Sequence, residues 1–431
     1  MFPSCLNACS AWPRACARGA CLFIVLLLAW PGASPAAPPG LSLDEAVRIA
    51  VERAPMLDAR RARVEAAGQE ARRAGALPDP MLSVGIDNLP VTGTDAFDVQ
   101  ADFMTMKRIG LRQEIPARAE REAERSLAAR NIDKAQADAQ AERLEIRRET
   151  AEAWIDLWAA QRELDELMAL REETELASRL ARARVAGGAD PVADALAAEV
   201  ALLKLDNRIE AARASGEAAQ VGLARWIGDD MLLSTDRTAD FTVLPVSQAQ
   251  LLAALDRLGP LLPTTAEIET AAAAVDVARA EKRPDWNVAA SYGQRDGGRS
   301  DMFMLEFGIA LPLFARNRQD RGIAARQAEY EAALATREDL RRQQVARIRA
   351  DVARWEGFKR QVARDRDALL PLARDRTATA LAAYRAGAPV RPWLDARHDE
   401  IDILIDHTQR LGALGRAWAA LAYLLPQEPQ Q

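Results

Sequence analysis

The chain has 431 residues, of which 49% are hydrophobic and 28% are charged, so its composition is that of a folded protein and excludes disorder as its main state. Only 5% of the residues are aromatic, and alanine, leucine, arginine and glutamate dominate, which is typical of long helices. The formal net charge of −6 offers no overall basic face for phosphates. Nucleic acid is therefore not an expected partner, and cations are the better candidates.

The first 36 residues have the features of a secretory signal peptide. All four cysteines of the chain lie within residues 1–21. The segment also contains, in order, Arg14, Arg18, an apolar run at residues 20–30, and the small residues Ser34 and Ala36. This order is typical of an exported protein, and the apolar run is shorter than the ~20 residues that span a bilayer. We expect export, and a mature chain with no lipid anchor, disulfide or cysteine metal site.

An internal repeat organises the rest of the chain. Two halves, offset by about 200 residues, show the same order of a helical pattern, two short β segments and a very long helical pattern that breaks once. The shared landmarks are the capping signatures Ser42 to Glu45 and Ser247 to Gln250, the Pro78-Asp79 and Pro284-Asp285 dipeptides, and the breaks at residues 184–191 and 385–392. The sequence therefore predicts two repeats, residues 37–235 and 236–431.

The β segments alternate apolar with small or polar residues at a period of two. They lie at residues 82–86, 109–115, 286–292 and 303–311. Transmembrane strands and half-buried soluble strands both show this alternation. If the four strands span a membrane, several copies of the chain must combine them into one closed sheet, because lipid does not tolerate open strand edges.

The long helical patterns exceed what a globular core needs. The first runs from Ala117 to Arg184, and the second from about Arg316 to Tyr384. A helix of nearly 70 residues is about 100 Å long. Apolar residues recur along both patterns at helical spacing, which predicts packing against neighbouring helices with the other face in water.

Several short motifs add to this architecture. They are Leu77-Pro78-Asp79-Pro80 with Asn88-Leu89-Pro90, residues 102–110 (DFMTMKRIG), residues 307–317 (FGIALPLFARN), and residues 384–387 (YRAG) followed by residues 393–396 (WLDA). The exported, twice-repeated chain resembles the TolC-like outer membrane factor family. Its motifs are most similar to those of the heavy-metal, CzcC/CusC-like subgroup of RND efflux outer membrane proteins.

The resemblance implies a mostly α fold with a small β part. In that family three protomers form a homotrimer, the long helices make a periplasmic tunnel, and each protomer gives four strands to one twelve-stranded outer membrane β-barrel. The implied function is a passive channel for heavy-metal cations, located in the outer membrane and extending into the periplasm. The implied partners are a periplasmic adaptor (membrane fusion protein), an inner membrane RND pump and outer membrane lipid.

No enzymatic activity or cofactor is expected. The chain has two histidines, no cysteine after residue 21, no Gly-rich phosphate loop and no nucleophile motif. Two other functions stay open at this point. One is the same channel serving drugs or type I secretion of a polypeptide, and the other, less favoured, is a periplasmic adaptor, which would contain one helical hairpin rather than two.

Four aspartates follow the second helix break at positions i, i+4, i+7 and i+11. They are Asp395, Asp399, Asp402 and Asp406, and they share one helical stripe. Facing the tunnel, the stripe would attract cations near the periplasmic entrance; on an outer face it would be solvated, with pairs such as Arg391 to Asp395. The resemblance implies an acidic constriction just past this break, which Asp395 matches best. Arg391 stands near a second acidic position of the family, so a double acidic ring is not expected.

The matching break of the first half contains Asp190 and Asp194. The resemblance implies that Tyr384 hydrogen-bonds across neighbouring helices to hold the tip closed, which predicts a contact from Tyr384 to Asp194 or Asp190. A local alternative for Asp190 is the N-cap of a helix that begins at Pro191. The spacing of His398 and Asp402 offers only two ligands on an exposed helix, so we predict no metal site there.

Overall fold

The computed structural model describes residues 40–228, 234–236 and 239–426 of the chain. The predicted signal peptide lies outside these residues. The described part belongs to one unit that begins at Gly40.

The same order of elements occurs twice. The first half consists of α1 (Leu43–Arg53), α2 (Pro55–Arg73), β1 (Met81–Asp87), β2 (Met106–Ile115), α3 (Arg118–Ala186) and α4 (Val192–Ile227). The second half consists of α5 (Gln248–Ala253), α6 (Leu262–Ala280), β3 (Trp286–Gln294), β4 (Met302–Ile309), α7 (Gln319–Arg364), α8 (Leu370–Arg385) and α9 (Arg391–Ala422). Short 3₁₀ turns lie at Leu255–Arg257, Gly259–Leu261 and Ala315–Asn317. The fold is mostly helical with one small sheet, as the sequence predicts.

Both predicted capping signatures begin helices. The Ser42 hydroxyl accepts a hydrogen bond from the Glu45 N–H at 3.3 Å at the start of α1. Ser247 and Gln250 form a reciprocal capping box at the start of α5. These contacts satisfy backbone donors that have no partner inside the helix.

The four strands form one antiparallel sheet in the order β1-β2-β3-β4. The register pairs Val84 with Ile109, Ile109 with Tyr292, and Tyr292 with Phe303, so apolar side chains from all four strands share one face. That face is open: Val84 is 77% exposed and Phe303 is 71% exposed. The other face carries glycine, serine and charged residues together with several methionines. The predicted alternation is therefore confirmed, and no other strand of the described residues pairs with the outer edge of β1 or of β4.

The long helices form one layer below the sheet. α3 alone has 69 residues, a length of about 100 Å. α3 packs against both α4 and α9, and α9 packs against α7 and α8. Across the layer the order is therefore α4, α3, α9, α8, with α4 and α8 at opposite edges. Among the described residues, no helix is both long and apolar enough to cross a membrane.

The largest core cluster lies halfway along the layer. Trp154 and Trp158 of α3 are buried there with their rings stacked 6.5 Å apart, and the edge of Phe241 packs against Trp158. α9 approaches closely at Gly415, where a Cβ atom would come within 2.7 Å of the Ile155 side chain. These tryptophans are packing residues.

One long helix departs from the prediction. The second long pattern was expected to run unbroken from about Arg316, but α7 begins at Gln319 and a π turn at Asp365–Leu369 separates it from α8. Pro371 explains the interruption, because proline has no N–H and its ring clashes with the carbonyl four residues earlier.

Candidate functional site

Two helical hairpins turn at the same end of the layer. α3 and α4 are joined by a turn that contains Gly188 (φ +69°), and α8 and α9 by a turn that contains Gly387 (φ +106°). Both glycines adopt backbone angles that other residues disfavour. Arg184 in the first hairpin contacts Tyr384 in the second, so the two turns lie side by side. We call this end, residues 184–194 and 384–395, the hairpin tip.

Arg184 links the two hairpins. Its Nε and Nη2 atoms donate to the two Asp190 carboxylate oxygens, both at 2.8 Å. Its Nη1 donates to the Tyr384 carbonyl at 3.0 Å, and its guanidinium carbon lies 4.8 Å from the centre of the Tyr384 ring. Bidentate carboxylate pairing and the cation–π contact are both strong interactions of arginine. The guanidinium lowers the pKa of Asp190, so this carboxylate stays ionised at neutral pH.

Asp190 is not a helix N-cap. Pro191 occupies the N-cap position of α4, the helix begins at Val192, and no side chain caps it. The Asp190 side chain is 6% exposed and both its oxygens accept from Arg184. The local alternative drawn from the sequence is therefore wrong, because the arginine across the turn holds the carboxylate.

Tyr384 is completely buried at the centre of the hairpin tip. Its hydroxyl makes no hydrogen bond of normal geometry with the described residues. Burial raises the pKa of Tyr384, the Asp190 carboxylate raises it further, and Asp194 adds a smaller increase. The structure thus brings Tyr384, Asp190 and Asp194 together around Arg184. That they hold the tip closed stays a prediction.

A second buried group ties α9 to α3 just above the tip. Arg397 is 3% exposed, donates to Glu400 at 3.0 Å, and also bonds to Glu173 of α3. Its guanidinium lies 5.9 Å from the ring of the fully buried Trp393. A buried arginine needs such carboxylate partners, since an unpaired buried charge is costly.

The aspartate stripe lies along α9, and three of its four members are paired. The pairs are Asp399 with Arg376 of α8, Asp402 with Arg208 of α4 at 2.6 Å, and Asp406 with Arg410 at 2.8 Å. Most of the negative charge of the stripe is therefore offset inside the chain. That Asp399, Asp402 and Asp406 attract cations stays a prediction. Because arginines pair with all three, they carry less unpaired negative charge than the sequence suggests.

Asp395 differs from the other three aspartates. It is exposed and has no ion pair among the described residues, including with Arg391 four positions before it. Both residues line an open groove of 860 Å³ between α8 and α9, which we call the tip groove. Its other lining residues are Leu372, Asp375, Arg376, Thr379, Ala380, Ala383 and Pro392. Asp395 is thus the one member of the stripe whose charge is available at the tip.

The described residues contain no group of three or more histidine, cysteine or acidic side chains that could hold a metal ion. His398 lies 3.5 Å from Asp402, on the same helix, and both side chains are about half exposed. Two exposed ligands make a weak site.

Sequence reasoning missed the arginines of the tip. Arg184 and Arg397 carry the links between hairpins, although the sequence pattern predicts no role for either side chain. The repeat offers a signal for Arg184, because it stands 200 positions before Tyr384 in the matching turn. Arg397 offers no such signal, since a buried arginine and a solvated one look the same in a helical pattern.

Comparisons with known proteins agree with this architecture. Residues 46–229 match the sequence model of a family described as outer membrane efflux protein. A membrane protein from Pseudomonas aeruginosa is similar in structure, with a TM-score of 0.74 and 17% identity over 89% of this chain and 92% of that chain. The Campylobacter jejuni CmeC outer membrane channel has a TM-score of 0.74 and 14% identity over 89% and 85%, and CusC has 0.76 and 13% over 88% and 90%. No curated protein sequence matches the chain.

The fold is that of TolC-like channels, with long helices below a small antiparallel sheet. Both likenesses are to outer membrane proteins of efflux, and they favour a conduit of the outer membrane over an enzyme.

Proposed function

We propose that the chain is the outer membrane channel of a tripartite RND-type efflux system for heavy-metal cations. It carries no energy source, so transport is driven by an inner membrane pump and reaches the channel through a periplasmic adaptor. The observation that supports a channel most directly is the combination of an exposed apolar sheet face with helices about 100 Å long. Lipid contact requires such a face, and a periplasmic tunnel requires such helices.

A single copy leaves an apolar helix face without a partner. Val192, Leu196, Val200 and Leu203 of α4 are each more than half exposed. They lie on the face of α4 opposite to its buried residues, such as Ala198 and Leu205. An exposed apolar stripe of this kind indicates an interaction surface.

The α8 side of the tip groove offers the matching surface at the other edge of the layer, whereas Asp395 lies on the α9 side. Leu196 is the fifth residue of α4 after its turn, and Leu381 is the fifth residue from the end of α8. The two residues therefore lie at the same height above the turns. At that height the exposed side of α8 carries Thr379 and Ala383, which line the groove. Large apolar side chains of α4 can therefore pack between small residues of α8 in the next copy. Repeated around a ring, this heterologous contact closes the layer into a tube. In agreement with the family resemblance we propose a homotrimer whose twelve strands form one barrel.

Cation cargo is supported by two features. The first is that the sequence motifs are most similar to those of the heavy-metal subgroup. The second is the unpaired Asp395 at the tip. In a ring, Asp395 from each copy would place negative charge at the periplasmic entrance, where it would raise the local concentration of cations. Tyr384, Asp190 and Asp194 with Arg184 would hold this entrance closed at rest.

Asp395→Asn is expected to lower the cation-to-anion permeability ratio severalfold in planar bilayers at low salt. At 1 M salt the difference should nearly vanish, because the Debye length falls to about 3 Å. Asp406→Asn is the matched control, since Arg410 already pairs with Asp406. Equal effects of the two variants would contradict a special role for Asp395.

Deletion of the gene in its host tests the cargo. Growth thresholds for copper, silver, zinc, cobalt, cadmium and nickel salts are measured beside a panel of drugs and detergents, with the intact gene restored as a control. Sensitivity to one or two metals supports cation efflux. Sensitivity to drugs alone would leave the channel standing and overturn the heavy-metal assignment.

A further inference from the structure

The apolar face of the sheet continues past the end of β4. Ile309, the last residue of β4, lies on that face because it is six positions after Phe303. Leu311, Leu313 and Phe314 follow it and are 61%, 76% and 81% exposed. The exposed apolar surface therefore extends from the strands to the junction between the sheet and the helices.

The height of this surface fits the apolar layer of a membrane. Phe303 and Leu313 are ten residues apart, which is at most about 33 Å along the chain and about 25 Å across a membrane for strands tilted by ~40°. Transmembrane barrels have an outward apolar band of about that height. Leu313 and Phe314 therefore lie at the boundary of the band next to the helices, which is the periplasmic side in the proposed channel.

Positively charged side chains lie directly beyond this boundary. Arg316 and Arg318 lie in the segment between β4 and α7, and Arg283 lies just before β3. All three are exposed, and none makes an ion pair with another described residue. Lys282, the neighbour of Arg283, binds Asp320 at 2.5 Å, which holds the two segments beside each other. Unpaired positive charge thus stands next to the apolar surface.

The acidic residues of the junction do not cancel this charge. Residues 281–285 and 311–321 contain five basic and three acidic side chains. Of the acidic ones, Asp320 is paired with Lys282, and Asp285 accepts a hydrogen bond at 2.8 Å from a backbone N–H of the segment before α3. A net positive charge therefore lies at the edge of an apolar surface, and an anionic amphiphile matches both features.

We propose that this junction binds an anionic phospholipid of the periplasmic leaflet. Arg283, Arg316 and Arg318 bind the headgroup phosphate, and Leu313 and Phe314 contact the acyl chains. Arginine suits this role because its planar fork can donate two parallel hydrogen bonds to one phosphate. The site rests on the proposed function, since it requires the apolar face of the sheet to lie in the outer membrane.

Two features favour a lipid over other occupants. A soluble anion would use the arginines but leave Leu313 and Phe314 exposed to water. In the proposed barrel the next copy pairs with the backbone edge of β4, so the apolar face itself stays open. A lipid satisfies the charge and covers the apolar residues together, and basic residues beside a bilayer attract anionic headgroups.

Lipid binding to the full-length protein, assembled in a neutral detergent, tests the site. The probe is a fluorescent phosphatidylglycerol, and phosphatidylcholine with the same acyl chains is the comparison without net charge. The wild type should bind phosphatidylglycerol more tightly. Arg316→Gln combined with Arg318→Gln should weaken that binding roughly thirtyfold, because two basic residues near an anionic surface contribute about that factor. Binding of phosphatidylcholine should not change.

Two further variants separate charge from apolar contact. Arg349→Gln combined with Arg364→Gln is the matched control, because it removes two exposed arginines of α7 that also make no ion pair with another described residue. These arginines lie about 45 Å or more further along the helix, so the variant should bind both lipids as the wild type does. Phe314→Ser should weaken the binding of both lipids by a similar factor, since it removes apolar contact and leaves the charge.

Four outcomes would overturn the site. They are no preference for phosphatidylglycerol in the wild type, equal losses in the two double variants, displacement of the lipid by millimolar inorganic phosphate, and dissociation of the Arg316→Gln, Arg318→Gln variant into single copies. The last outcome would assign the arginines to the contact between copies. If this variant does not fold, Arg283→Gln provides the second test, with an expected loss of about fivefold.

Conductance in bilayers of phosphatidylcholine alone is recorded in parallel, so that the site and the channel are tested separately. Conductance without a lipid preference would overturn the site and keep the channel. A lipid preference without conductance would keep the site and count against the channel.

Discussion

Arg184→Ala is expected to give a leaky channel. One guanidinium holds both Asp190 oxygens, the Tyr384 carbonyl and the face of the Tyr384 ring, so its removal frees the first hairpin turn from the second. Nothing else among the described contacts of the tip replaces a bidentate pair. Single-channel conductance in planar bilayers should rise severalfold, and cells that carry the variant should become sensitive to bulky antibiotics that the closed tip excludes.

The controls for this variant separate the link from charge and from folding. Arg182→Ala removes a neighbouring arginine whose partner, Glu199, lies on the exposed surface at 3.0 Å, and it should conduct as the wild type does. Arg184→Lys keeps the positive charge but loses the planar fork, so an intermediate conductance is expected. If Arg184→Ala and Arg182→Ala conduct equally while both assemble, the tip is held by other contacts.

The sequence predicts the outline of this fold because its signals are periodic and long. The alternation around Val84 and Phe303 and the helical spacing along α3 stay recognisable even where one residue departs from the pattern. Both predicted capping signatures also begin helices. The π turn at Asp365–Leu369 escapes such reasoning, since one extra residue in a helix of this length hardly changes the pattern. Only Pro371 marks its place.

The candidate site is less predictable because it depends on partners. Tyr384, Asp190 and Asp194 lie together as the family resemblance implies, yet Arg184, which organises them, lies 200 positions from Tyr384, and the sequence does not show that the two meet. For the aspartate stripe the sequence overestimates the free charge. The spacing correctly places Asp399 and Asp402 on one helix, but it does not show that Arg376 and Arg208 from other helices pair with them. Charge in a helical layer is decided by neighbours that are distant in sequence.

Closure of the ring depends most on the exposed apolar face of α4, and a single substitution in this face tests it. Leu196→Asp would bury an unpaired carboxylate at each contact between copies, at a cost of roughly 3 kcal/mol or about a hundredfold in association. The trimer should dissociate on size-exclusion chromatography with light scattering, while circular dichroism keeps its helical signal because Leu196 is 59% exposed in a single copy. Leu196→Met is the control that retains the apolar contact, and it should stay assembled.

Cysteine pairs check the register of the same contact. No cysteine occurs after residue 21, so an introduced pair reports without background in the mature chain. Leu196→Cys with Ala383→Cys should form disulfides between copies and give a ladder of dimer and trimer on denaturing gels. Leu203→Cys with Ala383→Cys is displaced by about 10 Å along the helix, which exceeds the reach of a disulfide, and should stay monomeric on the gel. Crosslinking of the displaced pair alone would replace the proposed register, and crosslinking of neither pair would place another surface against α4.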